Sequence, residues 1–283
     1  MKVAVIVLNY NSASDTKKCI SYLVKQGGVE LDIIVVDNCS STEERSKLEL
    51  VLREYKDTCA PHIITYIPND KNHGYNAGNN IGLRYASQQG YKYALISNPD
   101  MEFPDVTYVQ KMVSVMEENS EIVVQATDIV NNDGQHQNPM RELTFSEEFW
   151  WPIEYIRHKA KGTWYSLDYK KNQKCDKVWG CCLLLSLSFI SRIGYFDEGV
   201  FLYSEESILG RQVKMHSKIM YYNSDLSSIH RHIEQAKGEK KGRMRALLKS
   251  RIYFIKHYAD YNCIQKKLAI ISKRLQYAFW HYN

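Results

Sequence analysis

A chain of 283 residues with 44% hydrophobic and 24% charged positions, 14 Gly and 6 Pro has the make-up of a globular protein, which excludes collagen-like, mucin-like and disordered classes. At this length a core forms without disulfides or a structural metal. The net charge of +5 is unevenly divided: residues 237–283 hold twelve Lys/Arg against Glu239 and Asp260, a balance of +10, leaving −5 on 1–236. A basic tail on an acidic body predicts an anionic partner at the C-terminal end and argues against a nucleic-acid groove.

In chain order, Val3–Leu8 reads as a buried strand, and Asp15 caps a helix carrying Cys19, Ile20, Leu23 and Val24. Leu31–Asp37 is a second strand, and Thr42 opens a helix with Leu48, Val51, Leu52 and Tyr55 on one face. Ile63–Ile67 is a third strand, followed by a Gly/Asn-rich turn and a helix over roughly 76–89. Tyr93–Ser97 is a fourth strand, ending in Asn98-Pro99-Asp100. After Pro104, Asp105 caps a helix with Val106, Val109, Met112, Val113 and Met116 inward. Apolar strands alternating with helices predict a mostly parallel sheet covered on both faces.

Residues 131–176, with Trp150, Trp151 and Trp164, show no clean period. Val178–Ser186 reads as a central strand. The tail from about 243 carries two helical patterns; in the second, Ile264, Leu268, Ile271, Leu275 and Phe279 form one apolar stripe, with Lys266, Lys267, Lys273 and Arg274 mainly on the other face. That stripe suits either an anionic membrane surface or packing against the rest of the chain.

Seven cysteines, an odd number without a Cys-x-x-Cys pair, predict buried thiols in a reducing compartment rather than a disulfide framework. Asn9 stops the first apolar run after six residues, too short for a signal peptide or a spanning helix. The expected location is cytoplasmic, with any membrane contact peripheral, at the inner face of the plasma membrane.

In an open parallel sheet, ligands bind beyond the carboxyl ends of the strands. Here those ends carry Asn9-Tyr10-Asn11, Asp37-Asn38, Asn72-His73-Gly74 and Asn98-Pro99-Asp100. Any one of them is explained as a cap or turn; all four gather polar groups at one edge.

Val3–Asn11, Ile33–Ser41, Asn72–Gly82 and Leu95–Asp100 resemble the successive motifs of family-two glycosyltransferases with the GT-A fold. The resemblance continues through Trp179-Gly180, Ile193–Glu198 and Phe201–Glu206 to His230, covering about residues 1–232. Within that family the chain is most similar to the rhamnosyltransferase-like branch that builds bacterial capsules and O-antigens. The resemblance implies an α/β GT-A domain over 1–236, with a nucleotide-binding half at about 1–130 and an acceptor half at about 131–236. Residues 237–283 form a basic, amphipathic helical appendage.

The roles it implies fit the residue types. Asp37 matches the aspartate that accepts the N3–H of uracil or thymine, with Asn9, Asn11 and Asn38 beside it. The run Asn72, Gly74, Gly78, Asn79, Gly82 opens a helix whose glycines let backbone approach a diphosphate or ribose. Asp100 matches the ligand of Mg2+ or Mn2+ in the family's metal motif, with Asn98 nearer the ribose and His230 near the cation. Without the resemblance, His230 beside Arg231 and His232 reads as a solvated basic loop. Glu206, after an aromatic strand Phe201–Tyr203, matches the catalytic base. It replaces the usual Asp, and Glu205, Arg211, Trp179 and Gly180 stand on the acceptor side, with Arg211 pairing with either acid.

The activity implied is inverting transfer of a sugar from a UDP- or dTDP-sugar to a hydroxyl of a polysaccharide or lipid-linked oligosaccharide. Two other readings stand beside it. A sugar nucleotidyltransferase needs a Gly-rich loop with Arg or Lys that Val5–Ser12 lacks. A carbohydrate- or nucleotide-binding module would release no nucleotide from a donor.

Overall fold

The computed structural model describes residues 1–56, 58–161, 167–231 and 240–282. Trp164, His232 and the 236/237 boundary lie outside them. The elements in order are β1 (Lys2–Asn9), α1 (Ala13–Leu23), β2 (Glu30–Asn38), α2 (Thr42–Tyr55), β3 (Ile63–Asn69), α3 (Tyr75–Gln88), β4 (Tyr93–Ser97), β5 (Met101–Glu102) and α4 (Tyr108–Glu118). They continue with β6 (Ile122–Asn131), α5 (Phe145–Phe149), α6 (Trp151–Lys161), β7 (Gln173–Lys174), β8 (Cys182–Ser186), α7 (Leu187–Arg192), α8 (Glu205–Met215), β9 (Ile219–His230), α9 (Lys240–His257) and α10 (Cys263–Tyr282).

Among the described residues the strands form one nine-stranded sheet in the order β3-β2-β1-β4-β8-β6-β9-β5, with β7 on β9. β3, β2, β1 and β4 run parallel; β8 is antiparallel to β4 and β6, and β6 and β9 are again parallel. Successive side chains of a strand face opposite ways, so β1 sends Val3, Val5 and Val7 into one core layer and Ala4, Ile6 and Leu8 into the other. The first layer lies under α1, α2 and α4, the second under α3, α7 and α8. Apolar strands buried on both faces are the physical source of the parallel half.

Four local expectations are corrected. The N-cap of α1 is Ser12, and Asp15 lies in its first turn. Asp105 does not cap α4: its carboxylate accepts from Thr107 N–H and Oγ1 at 2.8 and 2.7 Å, making a turn that delays the helix to Tyr108 and leaves Val106 exposed. The strand read over Val178–Ser186 starts only at Cys182, because β4 ends opposite it. Phe201–Tyr203 is not a strand; Tyr203 and Ser204 take positive φ in the bend before α8.

The tail does not stand apart. Val200 and Ile208, at the start of α8, share a buried cluster with Phe254, Ile255, Ala259 and Ala269 of the last two helices. Beneath it Arg251 donates to Glu148, to Glu142 at 2.6 Å and to Ser207 at 3.1 Å, and Lys273 meets Glu148 at 2.8 Å. Glu148 is completely buried, so this ionic network clamps α9 and α10 onto α5 and α8.

Candidate active site

The strand order leaves β1 as the pivot: successive strands go outward to β2 and β3, then return to β4 on its other side. A crevice opens beyond the carboxyl ends at such a reversal. Its walls are Asn9–Ser12 after β1 and Asn98–Asp100 after β4. Tyr10 is 51% exposed there, and Asn11 is exposed beside it in a left-handed conformation, φ 52°.

Asp37 is not presented to this crevice. Its carboxylate has no exposed surface and accepts from Asn9 Nδ2 at 3.1 Å, Ser40 N–H at 3.4 Å and Arg45 Nε at 2.8 Å. The turn from β2 into α2 folds Ser40 and Arg45 over it, so protein donors meet both of its oxygens. Its work is to hold the floor: Asn9 is fixed by Asp37 and Ser40, and Ser40 Oγ in turn receives Asn11 N–H at 2.9 Å. Asn38 donates to Asn72 Oδ1 at 3.2 Å and accepts from Asn69 at 2.9 Å, tying the ends of β2 and β3 together.

The glycines after β3 face protein rather than a ligand. A Cβ on Gly78 would meet Leu8 at 2.6 Å, and one on Gly82 would meet Ile6 at 2.7 Å, so both let α3 lie close on β1. Gly74, at φ +104°, would place a Cβ 2.3 Å from Phe201 O, the atom that accepts Tyr75 N–H at 2.9 Å. Asn79 is buried, with Nδ2 on Tyr75 O at 3.1 Å. Gly74→Ala should therefore destabilise the protein by about 1–3 kcal/mol and loosen the bend that precedes α8. Calorimetry checks it; a variant melting with the wild type would show that this contact gives way without strain.

On the other side of the crevice, β5 brings Asp100 against the end of β9: Met101 pairs with His230, and Arg231 N–H donates to Asp100 O at 2.9 Å. His230 Nε2 lies 3.3 Å from Asp100 Oδ2. His230 is buried on a strand end, not in a solvated loop. Its Nδ1 lies 3.0 Å from Gln137 Oε1, a contact that orients the ring with Nε2 toward Asp100. Burial, and after it the negative charge of Asp100, push the Asp15 carboxyl up against the pull of Lys18, so Asp15 stands within electrostatic reach of Asp100. No cluster of three His, Cys, Asp or Glu that could hold a metal occurs among the described residues. A carboxylate beside an imidazole fits a divalent cation that takes its remaining ligands from substrate phosphates and water, since such cations need only one or two protein groups.

Asn98 N–H donates to Cys181 O at 2.8 Å, which sets the β4 end beside Trp179-Gly180-Cys181. Trp179 is 39% exposed, its N–H held by Asn138 Oδ1 at 2.8 Å. Gly180 N–H donates to Glu206 Oε1 at 3.3 Å, and Gly180 O accepts from Tyr75 Oη at 2.7 Å. The Cys181 thiol, pushed well up by burial, also feels the charges of Asp100 and Glu206. The cation end and the acid end of the site therefore meet at one short segment.

Glu205 and Glu206 are the first residues of α8. Burial pushes both carboxyls up, and Glu206 raises Glu205 further by like-charge repulsion. The Gly180 N–H and the charge of Lys177 oppose this at Glu206 alone. Both carboxyls are thus held up and titrate as a pair, and Glu206 is the member that accepts the Gly180 N–H. Arg211 pairs with neither: it reaches Asp260 at 3.1 Å, because residues five and six apart on a helix do not share a face. It lines a separate cavity of about 230 Å³ between α8 and the α9–α10 turn, with Lys214, Glu142 and Tyr261.

Sequence reasoning missed Gln137, Asp15, Tyr75 and Arg251. Asp15 and Arg251 carried signals that mean something else locally, a helix first turn and a basic face. Gln137 and Tyr75 carried none.

The glycosyl transferase family 2 model matches residues 4–194. The low-salt glycan biosynthesis hexosyltransferase Agl10 of Haloferax volcanii is 28% identical over 209 residues, 72% of this chain. The chain spans 59% of the length of that relative. Among solved structures, Staphylococcus aureus TarS 1–349 in complex with UDP-GlcNAc superposes with a TM-score of 0.60 at 15% identity, over 100% of this chain and 73% of that one. The mannosyltransferase PcManGT of Pyrobaculum calidifontis, in complex with GDP-Man and Mn2+, gives 0.61 at 13% identity, over 99% and 75%. The sheet order and these superpositions place the chain in the GT-A fold.

Proposed function

Because this chain belongs to glycosyl transferase family 2, we propose that it is an inverting, cation-dependent hexosyl- or rhamnosyltransferase. It would move the sugar of a UDP- or dTDP-sugar to a hydroxyl of a polysaccharide or lipid-linked oligosaccharide. The observation that carries the reading is the meeting of Asp100 and His230 with Glu206 around Gly180–Cys181. The donor base is read as uracil or thymine from the motif resemblance. Its place is the crevice floor of Tyr10 and Asn11, with Asn98 toward the ribose.

Glu206, ionised beside the Gly180 N–H, takes the proton of the acceptor hydroxyl. The oxygen so freed attacks the anomeric carbon, the bond from that carbon to the diphosphate oxygen breaks, and configuration inverts with no covalent enzyme intermediate. Asp100 and His230 would hold Mg2+ or Mn2+, which supplies charge neutralisation on the departing diphosphate. Gln137 orients the His230 ring for this. Trp179 and Gly180 form the ledge for the sugars, and Glu205 stands beside them on the acceptor side.

The test is a thermal-shift panel of UDP-, dTDP- and GDP-sugars with and without Mn2+, followed by nucleotide release without acceptor. Asp100→Ala should abolish the Mn2+-dependent part of donor binding, a loss of about tenfold or more, while metal-free binding persists. Unchanged Mn2+ dependence in that variant would remove Asp100 from the cation site. A donor that binds but is never hydrolysed or transferred would favour a binding module.

A further inference from the structure

The last helix is docked by its polar side, with the apolar stripe turned outward. Ala269, Ser272 and Lys273 face inward, with Ser272 Oγ on Phe149 O at 2.6 Å and Lys273 on buried Glu148. The apolar stripe Ile264, Leu268, Ile271, Leu275 and Phe279 points outward, each residue between 39% and 70% exposed. The stripe reaches a second element: Phe279 meets the Trp151 ring at 5.6 Å at the start of α6, and Trp150 next to it is 55% exposed. An exposed apolar area spanning two helices marks an interaction surface rather than scattered surface residues.

We propose that this α6–α10 face lies on an anionic lipid surface. Lys267 and Arg274 are exposed along one flank of the stripe, and Arg157 is exposed on α6. On α9, which packs beside α10, Lys249 and Lys256 are exposed, while Arg245 lies over the Tyr277 ring, away from the stripe. The acidic residues of the tail are Glu239, outside the described residues, and Asp260, which pairs with Arg211. Basic side chains rimming an apolar helix face complement anionic headgroups above acyl chains. A second copy of the chain would bring one strongly basic tail against another, which charge repulsion opposes. Among the described residues no helix is long and apolar enough to cross a membrane, so the contact is in the plane of the interface. The surface deepens the proposed function by holding the enzyme where a lipid-linked acceptor is found. It takes no part in the chemistry.

The experiment is flotation of the full chain with vesicles of phosphatidylcholine alone and of phosphatidylcholine with an equal part of phosphatidylglycerol. Wild type should float with the second and not the first, and lose this at high salt. Lys267→Gln with Arg274→Gln should lower partitioning by about tenfold or more, and Ile271→Gln with Leu275→Gln should abolish it. All four positions are exposed, so melting temperature and nucleotide release from donor should stay at wild type; those readouts fail separately if the transferase reading is wrong. No flotation, flotation equal on both vesicles, flotation unchanged in the variants, or a dimer in solution that the Ile271/Leu275 variant breaks would each overturn the proposal.

Discussion

Glu206→Gln should lower sugar transfer by about 100-fold or more, the scale of a positioned general base, with donor binding close to wild type. The change keeps the shape and the acceptor oxygen for the Gly180 N–H, but an amide takes no proton at neutral pH. Single-turnover transfer and donor titration separate the two effects. The pH profile carries the same assignment. Because the Glu206 carboxyl is pushed up, wild-type transfer should fall as pH drops through a value above the ordinary glutamate range near ~4.3, and this limb should vanish in Glu206→Gln.

Glu205→Gln should be much milder, since the Gly180 N–H that positions the base lies on Glu206 and is untouched. It should also change stability with a definite sign. A carboxyl held up in the folded state binds its proton more tightly there than in the unfolded chain. Its contribution is present below the unfolded value and is lost as pH rises through the folded one. The melting temperature of Glu205→Gln relative to wild type should therefore rise with pH. If Glu205→Gln is the inactive variant and Glu206→Gln retains transfer, the base is Glu205.

The second large effect is predicted far from the sugars. Arg251→Ala should cost about 3–5 kcal/mol of stability, the usual loss when one partner is cut from a buried ionic cluster. Glu148 would be left with no exposed surface and only Lys273, and Glu142 without its closest cation. Denaturant unfolding measures it. In the wild type, burial pushes these carboxyls up, but Arg251 outweighs burial together with Lys273 at Glu148 and Lys177 at Glu142. Both are held low, Glu142 at about 2. Carboxyls depressed in the folded state stabilise it above their unfolded value near ~4.3 and lose that stabilisation as pH falls through the folded value. Acid unfolding between these limits should be steep in the wild type and shallow in Arg251→Ala. Because Arg251 also reaches Ser207, next to Glu206, transfer should weaken along with stability. Wild-type melting of this variant would mean that the tail is not held by charge.

The sequence by itself determined the parallel half of the sheet. Val3–Leu8, Ile33–Val36 and Tyr93–Ile96 are apolar on both sides, and a strand of that kind has nowhere to go but between two helical layers. It also determined which strand ends carry polar residues, hence Asn98 and Asp100 as candidates, because these are local patterns; the Glu205–Glu206 pair was legible through the family resemblance of Phe201–Glu206. What it did not determine is which of them face the crevice. Asp37 and Asn9 look alike in a strand-end motif, yet a turn eight residues later folds Arg45 over Asp37 and closes it off. Gly78 and Gly82 look like a ligand loop and prove to be the contact between α3 and β1.

Only the tertiary structure decided the tail. Periodicity defines an apolar stripe and a basic face on α10 but not which of them turns inward. That was settled by Glu148, a carboxylate more than a hundred residues earlier with no exposed surface. A buried charge left without a partner costs more than several exposed apolar side chains. The helix therefore gives Lys273 to the interior and leaves Ile264, Ile271 and Leu275 outside.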